Sequence, residues 1–182
     1  VGTSILNVQC DGWGDGWDAD DHGGDPGDDT GPLIIGWPEE YIDASSHSPG
    51  WLNGIEIVVE ETVTLRQLAL ISKRSGDDVR MVLYTDAGGT PDILMASTAI
   101  TTTGLGPLEM DVDPVTLAPG SYWIMTVWAT GGSIGIDSSS PEGMATVVRD
   151  KTWSIYDDPP NPFGEAGSYT GQRFNFYMVT ER

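Results

Sequence analysis

Eight aspartates, Asp11, Asp15, Asp18, Asp20, Asp21, Asp25, Asp28 and Asp29, crowd the stretch from Asp11 to Gly31, which also holds seven glycines. Carboxylates this close repel one another unless a cation neutralises them. Hard oxygen ligands on a glycine-flexible backbone are what Ca²⁺ takes. Asp18, Asp20, Gly23 and Asp29 fall at positions 1, 3, 6 and 12 of a helix-flanked calcium loop. His22 spoils position 5, Asp29 is shorter than the usual glutamate, and no helical pattern flanks the segment. The expectation is therefore Ca²⁺ bound in some other loop geometry. The competing reading is a solvated spacer held extended by its own charge.

Trp13 and Trp17 sit among these aspartates. A plain spacer has little use for two indoles, so both are expected to dock on an apolar surface: the chain's own domain, a neighbouring subunit or a sugar ring. Trp37 and Trp51 face the same choice, with core packing favoured.

Catalytic constellations are poorly supported. Gly131-Gly132-Ser133-Ile134-Gly135 matches the string Gly-x-Ser-x-Gly, but a nucleophile elbow needs a helix after the serine. The next residues, Ile136-Asp137-Ser138-Ser139-Ser140-Pro141, have no helical pattern. His22 and His47 are the two histidines, and neither has a Cys or His at metal-ligand spacing. Glu39, Glu40, Glu56, Glu60, Glu61, Glu109 and Glu142 are available for paired-carboxylate chemistry, yet nothing marks a pair. No enzyme is expected. Cys10 is the single cysteine, so no internal disulfide is possible.

The elements that must position these groups read as strands. The chain has 182 residues and a formal net charge of −20. That balance argues against a nucleic-acid partner, which demands Lys and Arg for phosphates. It argues equally against docking on an anionic membrane. No apolar run approaches the roughly 20 residues of a spanning helix, so membrane insertion is not expected. Scarce lysine with abundant Asp, Thr and Gly suits an extracellular or high-salt setting, and an extracellular or cell-surface location is expected. The chain divides into a strand-like segment at 4–9 with the Asp/Gly arm (residues 1–31) and a β-rich domain (residues 32–182).

Within that domain short apolar runs alternate with Gly, Pro, Asp and Ser. Strands are expected near Leu33–Trp37, Gly54–Glu60, Thr62–Lys73, Val79–Thr85, Leu94–Ala99, Leu108–Val112, Ser121–Ala129, Ser133–Asp137, Met144–Arg149, Trp153–Tyr156 and Gln172–Thr180. Tyr122 to Ala129 is apolar on both faces, which predicts a central strand covered on both sides. Ser75-Gly76-Asp77-Asp78 reads as a hairpin turn, and Ala118-Pro119-Gly120 as another turn. The loop Asp157–Glu165, stiffened by Pro159, Pro160 and Pro162, reads as a plain surface loop in preference to a ligand rim or a second cation site. Many short strands with close turns argue for an all-β protein.

Leu83-Tyr84-Thr85-Asp86-Ala87-Gly88-Gly89-Thr90-Pro91, Leu94-Met95-Ala96-Ser97, Val115 through Ile124 with its Ala118-Pro119-Gly120-Ser121-Tyr122-Trp123 centre, Trp153-Ser154-Ile155-Tyr156 and Phe174-Asn175-Phe176-Tyr177 together form a familiar pattern. They resemble the jelly-roll β-sandwich domains of secreted bacterial surface proteins of the choice-of-anchor type. The resemblance covers Trp51 to Val179. It implies a jelly-roll-like two-sheet antiparallel sandwich and a non-catalytic surface or accessory module, with no family active site to carry over. The chain departs from the pattern in adding the acidic arm and in showing no anchoring tail.

Two functional readings are open. In the first, the sandwich with its extended N-terminal arm is a structural subunit that assembles with copies of itself. Ile5, Leu6 and Val8 add as a strand to a neighbour's sheet, making filaments or surface layers. In the second, it is an accessory module that binds polysaccharide through exposed aromatic side chains, assisted by calcium.

Overall fold

The computed structural model describes residues 31–139, 145–149, 153–170 and 172–182. Ile5, Leu6 and Val8, the eight arm aspartates, Cys10, Trp13 and Trp17 lie outside the described residues.

Among the described residues the chain is all-β. Its strands are β1 (Leu33–Gly36), β2 (Asp43–His47), β3 (Leu52–Val59), β4 (Val63–Ser72), β5 (Asp78–Asp86), β6 (Pro91–Ser97) and β7 (Thr101–Thr102). They continue with β8 (Gly106–Leu117), β9 (Gly120–Trp128), β10 (Gly132–Asp137), β11 (Ala145–Arg149), β12 (Gly167–Thr170), β13 (Arg173–Phe174) and β14 (Phe176–Glu181). One sheet runs β1-β14-β4-β10-β13, with β8 on β4 and β2 on β10. The other runs β12-β11-β3-β9-β5-β6, with β7 on β5. All pairings are antiparallel. The chain passes repeatedly from one sheet to the other, giving a two-sheet antiparallel sandwich: of the sandwich or barrel that the turn spacing allows, it is the sandwich, as the resemblance implies.

Period-2 alternation fills the space between the sheets. Leu65, Leu68, Leu70, Phe174, Phe176 and Met178 from the first sheet meet Ile55, Ile57, Met81, Leu83, Ile124 and Trp128 from the second. β9 shows why its sequence is apolar throughout. Tyr122, Ile124 and Trp128 face that core, while Trp123, Met125 and Val127 face the opposite side of the sheet, where they join a second cluster. That cluster is closed by Ile155 and Phe163, both buried. The segment 153–166 is therefore a strap across the outer face of the second sheet and not a plain surface loop. Tyr84 Oη donates to the Pro160 carbonyl (2.9 Å), Phe163 N–H to the Asp92 carbonyl (2.8 Å) and Arg80 Nη1 to the Asp157 carbonyl (2.9 Å). The Phe163 ring meets Tyr84 edge to face at 5.2 Å.

Four local expectations are corrected. Ser75–Asp78 does not turn a hairpin, because β4 and β5 lie in different sheets. The turn crosses the sandwich and is tied to the β7–β8 corner: Gly76 N–H donates to the Thr103 carbonyl, Thr103 N–H to that of Asp77, and Asp77 pairs with Arg74. Trp153–Tyr156 is a turn, not a strand, closed by Asp157 N–H on the Ser154 carbonyl (3.0 Å). The C-terminal run is split at Asn175 into β13 and β14. Buried Asn175 instead holds the loop after β1: its Oδ1 accepts from Tyr41 N–H, and its Nδ2 donates to the carbonyls of Glu39 and Trp37. Finally, β2, β7 and β12 form from polar Ser/Thr-bearing segments, which carry too little hydrophobic alternation to be read as strands.

Candidate functional site

The turn that replaces the expected strand at Trp153–Tyr156 borders a cleft of about 520 Å³. One wall is Pro49 and Gly50, which lead into β3. Another is the end of β9, Trp128 and Ala129. The turn itself supplies Trp153, Ser154, Tyr156 and Asp157, with Ile155 beneath. Backbone bonds lock these pieces together: Gly50 N–H donates to the Trp128 carbonyl (3.0 Å) and Trp153 N–H to the Gly50 carbonyl (3.0 Å). Ser154 Oγ accepts from Tyr156 N–H (3.2 Å), the local bond that sets the turn.

Two kinds of surface meet in this cleft. Tyr156 is 69% exposed. Trp153 is half-buried, with its indole N–H already spent on the Asp158 carbonyl (2.9 Å), so its remaining contribution is ring surface. Beside these rings stand the exposed Ser154 hydroxyl and Asp157 carboxylate. An apolar ring face next to hydrogen-bonding groups suits a ligand that is itself apolar on its faces and hydroxylated at its rim.

Behind the Trp128 wall lies a buried polar pair. His47, 6% exposed, packs edge-on against Phe174 (5.1 Å) and Trp128 (6.4 Å). His47 Nδ1 and Trp128 Nε1 are both buried without a hydrogen-bond partner. Burial holds the His47 imidazole at a pKa of about 4, well below its usual value. Gly132 makes room for this packing, since a β-carbon there would overlap the Trp128 ring.

The two predicted tryptophans that the structure describes occupy different settings. Trp37 packs against the inter-sheet core, as favoured, with the Arg173 guanidinium 5.1 Å from its ring centre. Trp51, expected in the core, is 37% exposed where the chain enters β3. The cleft residues are hard to see in the sequence because Trp-Ser-Ile-Tyr has the composition of a strand. The available signal was Ser154 with Asp157-Asp158-Pro159-Pro160 behind it, a cluster of turn formers. Gly131–Gly135 lies largely in strand β10, paired to β2, with no helix after Ser133 among the described residues. Among the described residues, no three His, Cys, Asp or Glu side chains converge as a metal site.

Compared with family models, with curated proteins and with solved structures, the chain finds no match in any of the three.

Proposed function

We propose that this chain is a non-catalytic extracellular β-sandwich module that binds polysaccharide in the cleft formed by Trp153, Ser154, Tyr156 and Asp157. The observation that carries the reading is the pairing of exposed aromatic surface with a hydroxyl and a carboxylate in one rigid turn. A pyranose presents C–H groups on its faces and hydroxyls at its rim, which matches both kinds of surface. The net charge of −20 disfavours anionic glycans and selects neutral ones. The resemblance of the turn motifs to secreted jelly-roll modules supports the same class, and Ca²⁺ on the arm is part of the proposal.

The test is affinity electrophoresis and calorimetry of the full chain against cellulose fragments, xylan, glucomannan and chitin fragments. At least one neutral glycan is expected to bind. Tyr156→Ala is expected to weaken that binding roughly tenfold or more at unchanged thermal stability. Absence of binding across the panel, or a Tyr156→Ala protein that binds equally well, overturns the reading.

The second reading, a structural subunit that assembles with its own copies, is favoured by a separate observation. β1 ends the first sheet directly after the arm, and among the described residues no strand covers its outer edge.

A further inference from the structure

The open edge of β1 has a defined hydrogen-bonding pattern. Trp37 N–H donates to the Phe176 carbonyl (2.9 Å), and the Leu33 carbonyl accepts from Thr180 Oγ1 (2.9 Å). With the antiparallel register Leu33↔Thr180 to Gly36↔Tyr177, residues 33, 35 and 37 direct their backbone groups at β14. Ile34 therefore directs its own outward, while Gly36, at a φ of 121°, leaves regular strand geometry. The Ile34 groups form a ready template for another strand.

Two other sheet margins are defended. β8 contains Pro107 and Pro114 and exposes Glu109, Asp111 and Asp113 at alternate positions. β6 opens on Pro91 and carries two register shifts against β5. β1 has neither charge nor proline within it, and Pro32 and Pro38 bound it on either side. Leu33 and Ile35 pack on the inter-sheet core and Ile34 is 40% exposed on the other face.

We propose that the outer edge of β1 accepts residues 4–9 of a second copy as an added strand. This rests on the self-assembly reading above and names its acceptor. In an added strand Leu6 and Val8 would share one face and Ile5 the other, an alternation that matches an apolar edge with Leu33 and Ile35 on one face and Ile34 on the other. The arm favours a neighbour over its own domain. It carries eight of the chain's 28 acidic residues and none of its eight basic ones. The length of chain ahead of β1 gives it a reach of roughly 60 Å at about 3.3 Å per residue, enough to leave its own domain. Because donor and acceptor are different surfaces, the addition propagates head to tail.

Sedimentation velocity and electron microscopy of the full chain, with reductant present so that Cys10 cannot crosslink, test the proposal. Ile34→Pro removes an N–H that β14, the one strand paired with β1 among the described residues, does not use, and proline is tolerated at such an edge position. The wild type is expected to assemble. Ile34→Pro, Ile34→Lys and deletion of residues 1–9 should each raise the concentration required roughly tenfold or more, with melting temperatures near wild type. A wild type that stays monomeric at high concentration overturns both this proposal and the self-assembly reading. Assemblies that persist in the folded Ile34 variants leave self-assembly standing but remove β1 as acceptor. Assemblies that persist after the deletion remove residues 4–9 as donor.

Discussion

His47 shows how much one side chain sets the behaviour of this fold. It closes β2 with its imidazole enclosed by Phe174 and Trp128 and with Nδ1 unpartnered. Its folded pKa of about 4 lies below the unfolded value of 6.5. The unfolded chain therefore takes up a proton first as pH falls. The neutral imidazole's contribution is whole above pH 6.5 and is lost progressively as pH drops towards 4. The loss amounts to about 3 kcal/mol. The measurement is a difference between wild type and variant, so that acid effects shared by both cancel. Chemical denaturation of wild type and His47→Phe between pH 7 and 4 should show the wild type losing about 3 kcal/mol more than the variant. Parallel pH profiles would remove His47 as the acid-sensitive group.

At the scale of elements, the strap across the second sheet decides stability more than its loop-like sequence suggests. Phe163 is fully buried against Tyr84 at the strap's far end. Phe163→Ala should cost about 3–5 kcal/mol, lowering the melting temperature by on the order of 10 °C. It should also change the fluorescence of Trp123 and Trp153, which belong to the same cluster. A melting temperature within about 1 °C of wild type would show that the strap contributes little. The strap was not legible in the sequence because three prolines and a run of acids describe its backbone, whereas its role comes from one phenylalanine and one isoleucine. The long strands were legible because burial on both faces leaves a continuous apolar run, as in β9. The turn motifs that carry the family resemblance also account for themselves. Asp86 accepts from Gly89 N–H and from Trp123 Nε1 (2.8 Å), and Tyr122 Oη reaches back to the Ala118 carbonyl (2.9 Å). These two fix corners of the sandwich, whereas the cleft lies on another segment of the same pattern, Trp153–Tyr156, whose composition reads as a strand and not as a turn.

For the whole molecule the dominant quantity is the charge of −20. Ordering the arm concentrates eight carboxylates in one place, which a divalent cation offsets. Melting of the full chain in millimolar Ca²⁺ against EDTA, at matched ionic strength, is expected to show a higher midpoint with calcium, because a ligand of the folded form stabilises it. Replacing all eight arm aspartates by asparagine should abolish the difference. Identical wild-type midpoints would leave the arm as a solvated spacer. The strand order has another consequence. β14, the last strand, lies between β1 and β4, and β3 and β4, although adjacent in sequence, belong to opposite sheets. Until Phe176–Glu181 have been synthesised, the first sheet lacks an interior strand, and β1 and β4 have open flanks where it belongs. Such long-range pairing is slow to form. A chain of this topology completes its first sheet only when Phe176–Glu181 are available to pair with both β1 and β4.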